Sequence, residues 1–182
     1  MTERAFDPSQ LNVEAFAKQA SALHGQCVVS ALARLADATH PDALPSPGDQ
    51  VDWQLRGEAR AVRSGPPEVW LHLSASARLA LVCQRCLQPV STELVASRSF
   101  RFVHGETAAA ELDADSEDDV LALSRSLDAI SLLEDELLLS LPLVPRHDAC
   151  PQPLLPPDDS GLGERENPFA SLAALKGSGH ID

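Results

Sequence analysis

Residues 69–81 have the sequence VWLHLSASARLAL, in which apolar side chains recur at every odd position. Successive side chains of a β-strand point to opposite faces, so this period places one set on a buried face and the other on an exposed face. Similar alternation occurs before this stretch, at 51–61, and after it, at 90–102, and Gly65-Pro66-Pro67 separates the first two runs. Period-two runs joined by turns predict an antiparallel meander with one buried face.

Helix signals stand on both sides of the predicted sheet. Asp7 and Pro8 are the residue types preferred at a helix N-cap and at the first helical position, and Gly25 would end that helix. Farther along, Asp128 is an N-cap for a helix that Pro142 stops, because the residue before proline avoids the α region. The predicted fold class is therefore α+β: an antiparallel β-meander or partly closed barrel with an N-terminal helix and a C-terminal helix packed on it.

The length of 182 residues suits one domain with its own core. We expect a single α+β domain over residues 1–150 and an extended, irregular, Pro-rich tail over residues 151–182. Within the domain, residues 105–119 are rich in alanine and acids, which predicts a solvated, mobile loop. Within the tail, Asn167-Pro168-Phe169 would begin a short amphipathic helix.

The net charge of −13 is unevenly distributed. Residues 51–104 hold seven basic and four acidic side chains, whereas residues 105–182 hold four basic and seventeen acidic ones. The acidic part would repel naked nucleic acid and attract a basic protein, although solubility alone also explains such a charge. No apolar run approaches the ~20 residues of a membrane span, and the N-terminus lacks the layout of a signal peptide. We therefore expect a cytoplasmic protein with no membrane partner.

Arginines recur on the predicted exposed face of the sheet. Side chains at i and i+2 share a face of a strand, so these arginines could form a basic stripe that contacts RNA. The aromatic content of 4 % weakens this hypothesis, because recognition of single-stranded RNA usually uses stacking rings. Arg98 and Phe100 are two residues apart and would share one face of a regular strand. Placing Arg98 on the exposed face and Phe100 on the buried face therefore predicts a bulge in the last strand. The candidate RNA-binding residues are Arg56, Arg60, Arg78, Arg98 and Arg101.

A Cys-x-x-Cys pair, Cys83 and Cys86, lies between two predicted strands. A redox pair needs a helix that opens directly after it, whereas Pro89 and a strand follow here. A turn between strands suits a zinc knuckle better, and His147 and Cys150 supply a second pair with ligand spacing. Together the four residues would close a structural zinc site. The alternative interpretation is that the thiols are small buried hydrophobes at a turn and that His147 is exposed.

Three consecutive acids, Glu134, Asp135 and Glu136, lie in the middle of the predicted C-terminal helix. Three consecutive residues spread over ~200° of a helix, so these acids cannot all face one pocket, and a paired-carboxylate hydrolase site is disfavoured. We interpret them as an exposed acidic ridge that binds a partner. The chain also lacks the Gly-x-Ser-x-Gly, His-Glu-x-x-His and phosphate-loop motifs, so we expect neither an enzyme nor a small-molecule substrate.

Three stretches resemble, in their order and spacing, the bacterial YceD family, also called the DUF177 family. They are CQRCLQP at residues 83–89, the segment 133–150 from the three acids to the last cysteine, and NPFASLAALK at residues 167–176. Members of this family are known as large ribosomal RNA subunit accumulation proteins. The resemblance covers about residues 51–176 and implies a non-enzymatic ribosome biogenesis factor that supports synthesis, processing or stability of 23S ribosomal RNA. The family has no established catalytic residues, so none is assigned here.

The expected partner follows from the charge pattern together with this resemblance. The acidic residues 105–182 could hold a basic ribosomal protein or a large-subunit precursor, while the arginine stripe could contact RNA. Two alternatives stay open: a direct RNA-binding protein that uses the arginine-rich face, and a small structural zinc-binding protein. The expected partner-binding residues are Glu134, Asp135, Glu136, Asn167, Pro168 and Phe169.

Overall fold

A computed structural model describes residues 6–151. Over these residues one open five-stranded sheet is combined with four α-helices, which confirms the α+β class and excludes a closed barrel. No described helix is long and apolar enough to cross a membrane. The strands are β1 (Ala22–Val28), β2 (Gln50–Arg60), β3 (Glu68–Val82), β4 (Pro89–Val103) and β5 (Asp119–Ala122), and the helices are α1 (Val13–Lys18), α2 (Ala33–Asp37), α3 (Glu106–Asp115) and α4 (Ala129–Leu139).

The sheet has the order β1-β2-β3-β4-β5. Its first four strands form the predicted antiparallel meander, whereas β5 runs parallel to β4. A parallel pair needs a crossover connection, and α3 provides it. The prediction of a mobile loop over residues 105–119 is therefore wrong. Alanine is the best helix former, and Ala109 is buried, so this stretch folds as a helix against the sheet despite its acidic composition.

The N-terminal helix is much shorter than predicted. Asp7 caps only a 3₁₀ turn at Pro8–Gln10, and the side chain of Asn12 caps α1. Ala20 then adopts a left-handed conformation, with φ of 47°, and the chain turns into β1 before Gly25 is reached. The cap signal was correct, but a second cap and the pairing of β1 with β2 divide the predicted helix into shorter pieces.

The core lies between the inner face of the sheet and the helices α1 and α4. The odd-numbered residues of β3 from Val69 to Leu81 are all buried, as the alternation predicts. Phe16 of α1 and Leu133 and Leu137 of α4 are fully buried in the same cluster. Each such side chain stabilises the fold by about 1.5–3 kcal/mol relative to an exposed one. The predicted packing of an N-terminal and a C-terminal helix on the sheet is therefore confirmed.

Helix α1 approaches β2 most closely at Gly57. A Cβ atom at this position would lie 2.7 Å from Cδ1 of Phe16 and 2.8 Å from the backbone of Ala17. Contacts this short do not occur between real side chains, so any larger residue would push the helix away from the sheet. Gly57 thus sets the distance between α1 and the sheet.

We expect the substitution Gly57→Ala to lower the free energy of unfolding by about 1–3 kcal/mol, because the added methyl group overpacks the contact with α1. Urea denaturation followed by circular dichroism measures this change. The matched control is Gly48→Ala in the loop before β2, where a Cβ would meet its nearest neighbour, Oγ of Ser46, at 3.7 Å. Equal effects of the two substitutions would contradict the close approach.

Candidate functional site

Residues 83–88, here called the knuckle, connect β3 to β4. The backbone N–H of Leu87 donates to the carbonyl oxygen of Cys83 at 2.8 Å, and the N–H of Cys83 donates to the carbonyl oxygen of Gln88 at 3.0 Å. Leu87 is left-handed, with φ of 60°, which lets the chain turn back immediately after Cys86. The hairpin therefore fixes the two thiols on the same tight bend.

His40 supports the knuckle from the loop between α2 and β2. Its ring is buried, with Nε2 2.9 Å from the carbonyl oxygen of Leu87 and Nδ1 3.0 Å from the backbone nitrogen of Asp42. The N–H of Asp42 must donate to Nδ1, so the ring proton is on Nε2 and is donated to Leu87. The backbone N–H of His40 also donates to Ala80 in β3, at 2.7 Å.

Residues 142–151, here called the exit segment, run beside the knuckle. The N–H of Gln84 donates to the carbonyl oxygen of Pro145 at 2.8 Å. Nε2 of His147 lies 3.0 Å from the carbonyl oxygen of Pro89, so it carries the proton and donates it. Nδ1 of His147 is the acceptor in the neutral form of this ring, and it lies 3.5 Å from Sγ of Cys86. A ligating histidine that donates its other N–H to a carbonyl is the usual arrangement at protein metal sites.

The knuckle and the exit segment together bring four metal-binding side chains into one group. Sγ of Cys83, Cys86 and Cys150 and a ring nitrogen of His147 all lie within 4.8 Å of one another. Cys83 is buried and the other three are partly buried. The sequence-predicted cluster is therefore assembled, although its two pairs are far apart in the chain. Three thiols and one imidazole with an oriented proton fit a metal ion that prefers tetrahedral sulfur and nitrogen ligands.

The thiols of this group differ in acidity. Burial would raise the pKa of Cys83, but the backbone N–H groups of Cys86, His147 and Arg85 around its sulfur outweigh burial and lower the pKa to about 5. Burial and the neighbouring thiols of Cys86 and Cys83 instead raise the pKa of Cys150. One thiolate is therefore already favoured at neutral pH, and a bound cation would favour deprotonation of the others.

The outer face of the sheet, turned away from α1 and α4, carries four of the five predicted RNA-binding arginines. Acidic side chains lie between them, so the predicted basic stripe is largely neutralised. Arg56 is in no ion pair within the described residues, and Arg60 also stacks 4.3 Å above the ring of Trp70. Within the described residues, the ion pairs of these arginines are Arg60–Glu58 at 3.4 Å, Arg78–Glu93 at 4.0 Å and Arg101–Glu68 at 2.9 Å.

Arg98 lies on the other face of the sheet, so its predicted place in the stripe is wrong. It is directly opposite Leu73 of β3, and the pairing of β3 with β4 continues past it without a bulge. Nε of Arg98 donates to Oε2 of Glu136 in α4, at 3.3 Å. The carboxylate of Glu136 is buried against the inner face of the sheet, where an unpaired charge would be costly. An arginine on this face is explained because it pairs with that carboxylate. Burial still raises the pKa of Glu136, an effect that Arg98 opposes.

Glu134 and Glu136 are also buried, each 8 % exposed, so the prediction of an exposed acidic ridge is wrong for both. Oε1 of Glu134 accepts from the backbone N–H groups of Arg34 and Leu35 at 2.8 and 3.1 Å, and Oε2 accepts from the Arg34 guanidinium at 2.8 Å. Burial alone would raise the pKa of Glu134, but these donors outweigh it and lower the pKa. Only Asp135 is substantially exposed, and it too pairs with Arg34.

Sequence reasoning did not find His40 or Arg34, the two residues that hold the knuckle and α4 in place. Each acts over a long separation in the chain, 47 residues from His40 to Leu87 and 100 from Arg34 to Glu134. No local pattern marks such a pairing. The other predicted partner-binding residues, Asn167, Pro168 and Phe169, and the amphipathic helix predicted with them, lie outside the described residues.

A protein-family model described as "Large ribosomal RNA subunit accumulation protein YceD" matches residues 71–176. This range is more than half of the chain and contains all four residues of the Cys/His group. The chain belongs to the YceD family. No solved structure matches it. The resemblance predicted from the sequence is confirmed, and the name of the YceD family describes a role in accumulation of large-subunit ribosomal RNA.

The YceD match also includes the acids of α4, and the structure assigns two of them to packing. Among them, Glu134 gives the sharpest test, because it alone accepts from two backbone N–H groups. We expect Glu134→Ala to lower the free energy of unfolding by about 2–3 kcal/mol, since the buried N–H of Leu35, the partly buried N–H of Arg34 and the Arg34 guanidinium all lose their acceptor.

The control for this prediction is Asp135→Ala, which removes an exposed partner of the same arginine. Its expected cost is below about 1 kcal/mol, because solvent screens that pair. Urea denaturation at pH 7 compares the two variants. If Asp135→Ala costs as much as Glu134→Ala, the buried contacts of Glu134 do not carry the stability.

Proposed function

We propose that this YceD protein acts in the cytoplasm as a non-enzymatic factor of ribosome biogenesis. It supports the synthesis, processing or stability of 23S ribosomal RNA. The observation that carries the proposal is the family match over residues 71–176, under a description that refers to accumulation of large-subunit ribosomal RNA. The pairing of Glu134 and Glu136 with arginines adds support, because these acids are engaged in packing rather than held free for chemistry.

The protein acts by docking a basic ribosomal protein or a large-subunit precursor. The surface that supports this is α3 and the turn after it, because residues 106–119 carry seven acids and no base. All seven side chains are exposed. The negative charge of these seven acids attracts the basic surface of another protein and repels the phosphates of bare RNA. The neutralised outer face of the sheet gives direct RNA binding no comparable support.

We expect a strain that lacks the protein to have a lower ratio of 23S to 16S ribosomal RNA than the wild-type strain. The wild-type gene should restore this ratio. A gene with Glu111→Gln, Asp115→Asn, Glu117→Gln and Asp118→Asn should restore it less well, because the docking surface loses four charges. Asp113 is left unchanged, since it accepts from the N–H of Val120 at 2.9 Å and holds the start of β5. Gel electrophoresis of total RNA measures the ratio.

The control for docking is a gene with Arg56→Gln, Arg60→Gln and Arg78→Gln on the outer face of the sheet. It should restore the ratio as well as the wild type does. Failure of this gene, together with full rescue by the acid variant, would favour direct RNA binding over docking. An unchanged ratio of 23S to 16S in the deletion strain would contradict the proposed function itself.

The metal that we propose for the Cys/His group is zinc, in a structural role. Thiolates and an imidazole are zinc ligands, and four protein ligands close the site to substrate. The lowered pKa of Cys83 and the proton position on His147 support this choice. Zinc bound here would supply folding free energy by joining two distant segments, and it would carry out no reaction.

We expect the full-length protein, purified without chelator, to contain about one zinc ion per chain. Cys83→Ser should remove it, because Cys83 is the buried ligand and the thiol most readily ionised. Cys27→Ser is the matched control, since Cys27 lies on β1 and is not part of the group. Plasma emission spectrometry measures the metal. A zinc content near zero in the wild-type protein would contradict the proposed site.

A further inference from the structure

The two halves of the Cys/His group are attached to the fold to very different degrees. Cys83 and Cys86 lie in a turn that is closed by its own backbone hydrogen bonds and continuous with the two longest strands. The buried ring of His40 donates to Leu87 and braces the same turn from behind. None of these contacts involves a metal ligand of the other half. The knuckle is therefore held in shape whether or not an ion is bound.

The exit segment has far less support. It contains no helix or strand, and its two large aliphatic side chains, Leu143 and Val144, are 100 % and 54 % exposed. Of its other apolar side chains, that of Cys150 is partly buried against the core. Within the described residues, hydrogen bonds that involve no thiol of the group reach it from the rest of the fold through the N–H of Gln84 and the carbonyl oxygen of Pro89. Other hydrogen bonds join His147 to the thiols of Cys83 and Cys86 themselves. Segments with so few buried contacts open at low free-energy cost. His147 and Cys150 are thus placed mainly by whatever binds them to Cys83 and Cys86.

A bound ion would change this balance, because it joins residues that are distant in the chain. Cys86 and His147 are 61 residues apart, and β4, α3, β5 and α4 lie between them. Cross-links that close long loops remove the most conformational freedom. The ion would add four ligand bonds where the exit segment otherwise depends on hydrogen bonds to Gln84 and Pro89 and on weaker contacts of His147 with the thiols of Cys83 and Cys86.

We infer that the metal is a latch for the exit segment, an inference that rests on the zinc site proposed above. With the ion bound, residues 142–151 are held against the knuckle. Without it, these residues detach while the knuckle and the sheet stay folded. Residues 152–182 follow the exit segment in the sequence. They include the predicted partner-binding residues Asn167, Pro168 and Phe169, so metal occupancy decides whether the segment that leads to these residues is held at the knuckle.

Limited proteolysis of the full-length protein tests the latch, because each half contains one exposed arginine. Arg146 lies in the exit segment and Arg85 lies in the knuckle. Trypsin cleaves after arginine, so it can cut at both places. Removal of zinc by a chelator should accelerate cleavage after Arg146 by about tenfold or more, since cleavage follows the population of the open segment. Cleavage after Arg85 should change little. Mass spectrometry of the fragments over time gives both rates in one sample.

Two variants control the experiment. Cys150→Ser removes a ligand of the exit segment and should be cleaved rapidly after Arg146 even with zinc present. Cys27→Ser keeps the whole group and should behave as the wild type. Amide hydrogen exchange of β3 and β4, measured before and after chelation, should be unchanged, because the sheet has its own core.

Three results would overturn the latch. Equal acceleration after Arg85 and Arg146 would mean that both halves unfold together. Unchanged cleavage after Arg146, with zinc removal confirmed by metal analysis, would mean that the hydrogen bonds alone hold the segment. Loss of exchange protection throughout β3 and β4 would mean that the ion holds the whole sheet. Each of these leaves the zinc site in place, whereas absence of zinc from the purified protein contradicts the site itself.

Discussion

The pairing of β3 with β4 is the interaction on which the other parts of this structure depend. It runs without interruption from Val69–Phe102 to Val82–Pro89, and its parity decides which side chains face the core. Because the strands end together, the chain must turn tightly between them, and this turn brings Cys83 and Cys86 onto one bend. The same parity places Arg98 beneath the sheet, where it meets Glu136 of α4. The position of Cys83 and Cys86 in the Cys/His group and the contact of α4 with Arg98 thus both follow from the register of β3 with β4.

Two kinds of electrostatic contact give the acids of this chain different roles. Glu134 and Glu136 lie at the boundary of the core, where an unpaired carboxylate would be costly, and each has an arginine on a neighbouring element. Their contacts orient α4 relative to α2 and β4. The acids of residues 106–119 are exposed and meet no base within their own stretch, so their field extends into solvent. The charge of the second group is the more available to a partner, which is why we propose docking at α3 rather than at α4.

The sequence predicted those features that have a local period or a local spacing. Alternation from 69 to 81 identified β3 and its buried residues, Asp128 marked the start of α4, and the two ligand pairs indicated one cluster. Residues 105–119 were predicted wrongly because helix α3 packs on the sheet through a single buried residue, Ala109. The sequence of such a helix has no apolar period and cannot be distinguished from that of an acidic loop. The place of Glu134 depends on backbone N–H groups that the fold brings from 100 residues away. No pattern within a helix can show such a partner.

A zinc-binding protein and a docking factor were separate hypotheses at the level of the sequence, and the structure gives a physical reason to combine them. Helix α4 is already attached to the sheet through Leu133 and Leu137, so the core does not need an ion to assemble. The core holds residues 142–151 only weakly, because Leu143 is fully exposed, Cys150 is only partly buried, and none of these ten residues is in a helix or strand. The proposed ligands His147 and Cys150 lie in this weakly held stretch, which continues in the sequence into residues 152–182. A metal bound at this position would contribute least to the sheet and most to the placement of the exit segment, so the zinc site and the docking function that we propose are compatible in one protein.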